Sequence, residues 1–273
     1  MRIFEAKDAS KKIDGVTIIN EISLSISKGE KIAITGRNGS GKSSLLKLIG
    51  GIYEATSGEL MRFKTNISYS YVPEHFPENI RFLITDYLLL MGKMAGKKDE
   101  EIQMSIREYA EIFAIQDFLN TPLRKCSKGT KQKVGIIQAL LKEPDLLLLD
   151  EPLTGLDDKA QFELLNQLNS LSNDTTIVFT VHDQLLIDGL AERLLIVEGG
   201  KIISDSTKIK KEKLRIIKAF VPTKQILTQI PSTEYKFVEE NLVEILVPDY
   251  ESDRVLSMLL NEGSSILELL EKR

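Results

Sequence analysis

The period of the hydrophobic positions changes several times along the chain, and each change marks an element. Residues 2–34 alternate in strand fashion, with β-rich stretches at Val16–Ile19 and Ile22–Ile26 and a Lys28-Gly29-Glu30 turn before Lys31–Thr35. A helix is predicted over Ser43–Ile49, ended by Gly50-Gly51. Ile67–Val72 reads as a strand stopped by Pro73. Residues 78–143 are mainly helical, with clear periodicity over Asp99–Phe113 and Lys131–Leu141. Strands return at Leu146–Leu149 and Thr175–Val181, with a helix near Lys159–Leu171 between them. Leu194–Val197 and Lys201–Ser204 flank Gly199-Gly200 as a hairpin. Lys208–Lys213 is a basic run that reads as a linker. Beyond it, short strands such as Val243–Val247 mix with a helix at Ser252–Leu260. Strands alternating with helices imply an α/β chain.

Composition narrows the class. The chain has 273 residues, enough for one large domain with a small appendage. We expect a domain over 1–207, with a helical part at about 74–143, and an extension over 208–273. A net charge of −4 makes no global electrostatic case for nucleic acid. The one cysteine, Cys126, rules out an intrachain disulfide and suits a reducing cytoplasm. The first residues lack the apolar core of a signal peptide, and no apolar run approaches the roughly 20 residues that span a bilayer.

The candidate chemistry starts at Gly36-Arg37-Asn38-Gly39-Ser40-Gly41-Lys42-Ser43, which fits G-x-x-x-x-G-K-[ST], the phosphate-binding loop of P-loop NTPases. A triphosphate needs many donors at close range. Glycines let backbone N–H groups turn inward, and the following helix aims its N-terminus at the phosphates. Gly36, Asn38, Gly39, Ser40, Gly41, Lys42, Ser43 and Ser44 are the candidate contacts. Lys42 can reach the β- and γ-phosphates of ATP, and Ser43 can ligate Mg²⁺. A strand before the loop and a helix after it supply the context the motif requires.

Two further strings add carboxylates and an imidazole. Leu146-Leu147-Leu148-Leu149-Asp150-Glu151 runs an apolar strand into two acids. Asp150 is a candidate for the metal, and Glu151 can polarise an attacking water as general base. An acid pair at a strand end is otherwise a solvated feature, but four preceding leucines argue for burial. His182 follows another apolar strand at Thr180-Val181-His182-Asp183. A lone histidine is often a surface or capping residue; at the carboxyl end of an α/β strand it can contact a γ-phosphate. His75 has no comparable context and is assigned no role.

Taken in order, these motifs resemble the ATP-binding cassette (ABC) ATPases over roughly residues 2–206. The family signature, ideally L-S-G-G-Q, resembles Cys126-Ser127-Lys128-Gly129-Thr130, with the serine and second glycine kept. Ser127 and Gly129 would begin a helix that meets the γ-phosphate held by a second cassette. Thr154-Gly155-Leu156-Asp157 looks like the D-loop that crosses the dimer interface, and Glu151 and His182 match the catalytic glutamate and the switch histidine. The resemblance implies a P-loop NTPase (RecA-like) core with an antiparallel β subdomain, a helical subdomain and a small C-terminal α+β extension. It also implies ATP and Mg²⁺ as cofactors, a partner cassette that is a copy or paralogue, and a membrane permease docked on the helical segment. The implied place is the cytoplasm, peripheral on the inner face of the cell membrane.

Two departures are informative. The family places an aromatic against adenine near position 13, where this chain has Ile13, which gives apolar contact without stacking. Glu74 stands where the family has the Q-loop glutamine, and is a candidate metal neighbour. Pro73-Glu74 with a Ser-Lys-Gly signature resembles cassettes of exporters whose permease is a separate polypeptide. The rival reading is a soluble ABC ATPase acting on DNA or ribosomes. Such proteins usually carry two cassettes, coiled-coil arms or zinc-site cysteines, and this chain has one cassette and one cysteine.

Overall fold

The structure, a computed structural model, describes residues 1–63, 67–207, 214–222, 227, 234–238, 241–248 and 252–271. The chain divides into two compact units, Met1–Lys208 and Ile209–Arg273. The basic run at 208–213, expected to be a linker, lies outside the described residues.

The first unit begins with β1 (Arg2–Ile13), β2 (Val16–Ser27) and β3 (Lys31–Thr35), then α1 (Lys42–Ile49), β4 (Ser57–Arg62) and β5 (Tyr69–Val72). Helices α2 (Ile84–Met94), α3 (Asp99–Ile112) and α4 (Lys128–Leu141) follow. It closes with β6 (Leu146–Asp150), α5 (Asp158–Ser170), β7 (Thr176–Thr180), α6 (Gln184–Gly189), β8 (Arg193–Glu198) and β9 (Lys201–Thr207). The family fold is therefore present: a six-stranded sheet in the order β5-β6-β7-β3-β8-β9 and a three-stranded sheet in the order β2-β1-β4. The larger sheet is parallel except for β9, which forms the expected hairpin with β8. The smaller sheet is antiparallel throughout.

Why the central strands read as unbroken apolar runs is now plain. Each face of the parallel sheet packs on its own core. Leu147, Leu149, Ile177 and Phe179 face the core shared with α2, α3 and α4. Leu146, Leu148, Val178, Ile32 and Ile34 face the core shared with α1 and the antiparallel sheet. The parallel strands all point their carboxyl ends one way, so the P-loop after β3, Asp150 at the end of β6 and Thr180 at the end of β7 meet at one rim.

Two elements differ from the pattern-based expectation. Strand β4 was not predicted: Ser57–Arg62 has little apolar content and an exposed surface, and it is a strand because β1 supplies its ladder, Phe4 pairing with Arg62 and Lys7 with Glu59. Helix α4 starts at Lys128, earlier than the periodicity over Lys131–Leu141 predicts, because the Ser127 hydroxyl accepts the Thr130 N–H and satisfies an orphan donor of the first turn.

The second unit is an antiparallel sheet in the order β11-β12-β10-β13, from β10 (Leu214–Phe220), β11 (Glu234–Phe237), β12 (Leu242–Pro248) and β13 (Ser265–Glu271), with α7 (Ser252–Asn261). Ile217, Ala219, Val243, Ile245 and Val247 form its core with Val255 and Leu259 of α7. This is the small α+β extension expected from the resemblance.

Candidate nucleotide site

The P-loop leaves β3 and enters α1 through three glycines with positive φ: 149° at Gly36, 77° at Gly39 and 108° at Gly41. At Gly36 an added Cβ would meet the Val197 carbonyl oxygen at 2.1 Å, so only glycine lets the loop turn this close to β8. A Cβ at Gly39 would meet nothing within 4 Å, so the loop mouth is open. The Ser40 hydroxyl is buried without a hydrogen-bond partner, and no acid lies in the first turn of α1. An orphan hydroxyl, an open mouth and an acid-free helix N-terminus fit a phosphate chain. Asn38 is exposed at the mouth, and Ser44 is half-buried on α1.

Lys42 is the first residue of α1 and is buried at 7% exposure. Its ammonium donates to the carbonyls of Gly36 at 2.9 Å and Arg37 at 3.2 Å. It also lies 3.2 Å from His182 Nε2. The lysine charge is thus held at the loop by neutral groups, within 4.0 Å of the Glu151 carboxylate.

At the next residue of α1, the Ser43 hydroxyl donates to Asp150 Oδ1 at 2.9 Å. Asp150 is 3% exposed and accepts two more hydroxyls, Thr180 Oγ1 on Oδ1 at 2.7 Å and Tyr71 Oη on Oδ2 at 3.1 Å. A hard cation such as Mg²⁺ prefers hydroxyl, carboxylate and phosphate oxygens, and Ser43 with Asp150 offers the first two side by side. Among the described residues no group of three or more His, Cys, Asp or Glu side chains could hold a metal by itself. Phosphate oxygens would have to complete such a site.

Glu151 follows β6 in a left-handed conformation, φ 47°. This turn takes its carboxylate away from Asp150 toward His182, whose Nε2 is 3.1 Å from Oε1. That Nε2 can accept from Lys42 or, protonated, donate to Glu151, but not both. With Lys42 as the partner, Glu151 Oε1 is left buried without a donor. Burial pushes the Glu151 carboxyl above its ordinary value, His182 and Lys42 counter it, and Asp150 and Glu74 add to it. A carboxylate made more basic by burial, beside Lys42 and His182, is suited to act as a proton acceptor.

The remaining expected residues lie apart from this cluster. Glu74 is half-exposed, 3.9 Å from His75 Nδ1, and makes no hydrogen bond to Ser43 or Asp150. It reaches the site only as a charge that raises Glu151 and Tyr71. Ile13 ends β1 at the Asp14-Gly15 turn, half-buried. Ser127 and Gly129 sit at the N-terminus of α4, with Gly129 packed so closely on Gly155 that an added Cβ would meet the Gly155 carbonyl at 2.4 Å. Asp157 caps α5 through the Ala160 N–H and pairs with Lys133 at 3.0 Å. The signature helix and the Asp157 loop are therefore neighbours within one chain.

Sequence reasoning missed Thr180 and Tyr71. The available signals were a threonine at the end of the largely apolar strand Thr176–Thr180 and a tyrosine one residue before the end of Tyr69–Val72.

Comparison with known proteins places these features. The ABC transporter family profile matches residues 19–154. An ABC transporter ATP-binding protein of Archaeoglobus fulgidus is 31% identical over 223 residues, covering 74% of this chain and 93% of that protein. The maltose/maltodextrin import ATP-binding protein MalK of Photorhabdus laumondii is 31% identical over 204 residues, covering 70% of this chain and 55% of that one. Among solved structures, an ATP-binding subunit of an ABC transporter superposes with a TM-score of 0.69 at 26% identity, over 75% of this chain and 90% of the other.

Proposed function

The chain belongs to the ABC transporter family, as an ATP-hydrolysing cassette, and from that premise we propose that it drives a separate membrane permease, most simply an exporter, as one of two cassettes. The observation that carries the reading is the convergence of Lys42, the Ser43–Asp150 pair, Glu151 and His182 on one sheet rim.

In this reading the P-loop backbone, Lys42 and Ser40 hold the phosphates of ATP. Ser43 and Asp150 would hold Mg²⁺, which when bound would offset charge on the phosphate oxygens. Glu151 orients the attacking water and takes its proton, and His182 places Glu151 and the γ-phosphate relative to each other. Lys42 would turn from the loop carbonyls to the phosphates, and His182, carrying its hydrogen on Nε2, would then donate to Glu151. Ser127 and Gly129 of a second cassette, a copy or paralogue, cover the γ-phosphate, with the Asp157 loop at the shared interface. Domain 1–207 carries all of this, and no role is assigned to the extension.

Export and the permease contact are the finer parts. They rest on Pro73-Glu74 and Ser127-Lys128-Gly129, and on a groove of about 300 Å³ beside Glu74, lined by His75, Phe76, Glu78, Lys128 and Lys131. No helix among the described residues is long and apolar enough to cross a membrane. Co-purification from membranes, with mass spectrometry of the bound proteins, tests the reading. A permease with about six apolar segments of span length supports it, and recovery only with ribosomes or DNA overturns it. Substrate loading of inside-out vesicles on ATP addition then tests direction.

A further inference from the structure

We propose that Thr180 is a positioning residue for hydrolysis, tying the metal-side carboxylate of Asp150 to the backbone of Glu151 through one hydroxyl. The inference rests on the roles given above to Asp150 and Glu151.

Strand β7 lies between β6 and β3, and Thr180 is in register with Asp150. Its side chain is wholly buried. Oγ1 donates to Asp150 Oδ1 at 2.7 Å and accepts the Glu151 N–H at 2.8 Å. The hydroxyl hydrogen and an oxygen lone pair are thus both used, one on the last residue of β6 and one on the residue that follows it.

Two features make this more than a satisfied core polar group. First, Glu151 sits at φ 47°, a conformation that costs a non-glycine residue energy and persists only where its surroundings hold it. The bond from its N–H to Thr180 is a tether at that residue. Second, Asp150 Oδ1 is shared between Thr180 and Ser43. A cation takes only a lone pair of Ser43, so both hydroxyls can keep donating to Oδ1, and Thr180 is the donor that fixes this oxygen independently of the metal-side serine. A valine keeps the branched shape of threonine and loses both bonds, while a serine keeps the hydroxyl.

The test compares Thr180→Val and Thr180→Ser in the full chain and in a Glu151→Gln background, reading kcat, KM and ATP binding. For Thr180→Val we expect kcat to fall about tenfold to a hundredfold, with ATP affinity within about twofold of wild type. Thr180→Ser restores most of the rate. In the Glu151→Gln background the valine costs less than in the wild-type background, because the carboxylate it helps to place is gone and only its hold on Asp150 is left to lose. Wild-type kcat in Thr180→Val, or an equal loss in both backgrounds, overturns the inference. Should the valine variant not fold, Thr180→Cys, a weak donor, is expected to show the same kcat loss, and a wild-type rate from it overturns the inference. A wild-type chain without ATPase activity would sink the underlying function, which is a separate outcome.

Discussion

Tyr71 on β5 donates its phenol hydrogen to Asp150 Oδ2 on β6, 3.1 Å away across the sheet. Burial, the Asp150 charge and this hydrogen bond all push the Tyr71 hydroxyl above its ordinary value of 10.0. A group whose folded value is raised stabilises the fold below its unfolded value, and that stability is lost as pH rises past it. Tyr71→Phe should therefore cost about 1–3 kcal/mol near neutral pH. The gap from wild type should shrink above pH 10. Urea unfolding at a series of pH values measures it, and a gap that does not shrink at high pH would show that the Tyr71 hydroxyl is not held above its ordinary value.

Lys42→Ala is expected to abolish ATP hydrolysis and to weaken nucleotide binding. Its ammonium is the buried cation at the loop, whereas Arg37 is exposed. Hydrolysis at the wild-type rate would remove Lys42 from the site.

Glu151→Gln keeps the shape of the site but removes the proton acceptor. Turnover should fall by about 10²–10⁴-fold while ATP binding persists, since the phosphate cradle is untouched. ATP should then hold the cassettes together, visible as a dimer by gel filtration. Unchanged hydrolysis with only monomer present would mean that Glu151 is not the base.

Asp157 is held below its ordinary carboxyl value by the Ala160 N–H first and by Lys133 second. Its contribution is present above the unfolded value of 3.8 and is lost as pH falls through the lowered folded one. Asp157→Ala should cost about 0.5–2 kcal/mol at neutral pH as a lost N-cap. The exposed pair with Lys133 adds little. Melting curves at neutral and acid pH should show the difference fading under acid, and a constant difference would assign it to packing.

Nucleotide selectivity should be weak. Ile13 offers no ring, Phe4 is buried in the core, and the Tyr53 ring carries the ammonium groups of Lys11 and Lys47 at 5.3 and 5.4 Å from its centroid. Calorimetry should place ATP and GTP affinities within about tenfold, or roughly 1.4 kcal/mol. A much larger preference for ATP would require an aromatic platform that these residues do not supply.

What the sequence determined by itself was whatever depends on local pattern. The glycine spacing of the P-loop, the four leucines before Asp150 and the Gly199-Gly200 turn each carry their physics within a few residues, so loop, buried strand and hairpin were legible. The same holds for the family likeness, which is a matter of motif order. Tertiary structure alone decided the rest. It made Ser57–Arg62 a strand because β1 lies beside it, and put β7 between β6 and β3, 30 residues along the chain from Asp150. Only that order brings Thr180 and Tyr71 onto one carboxylate, and only the φ of 47° at Glu151 points its side chain toward Lys42 and His182 and away from Asp150. Hydrogen bonds between strands join residues that no local pattern relates, because a sheet's order is set by the packing of the whole domain.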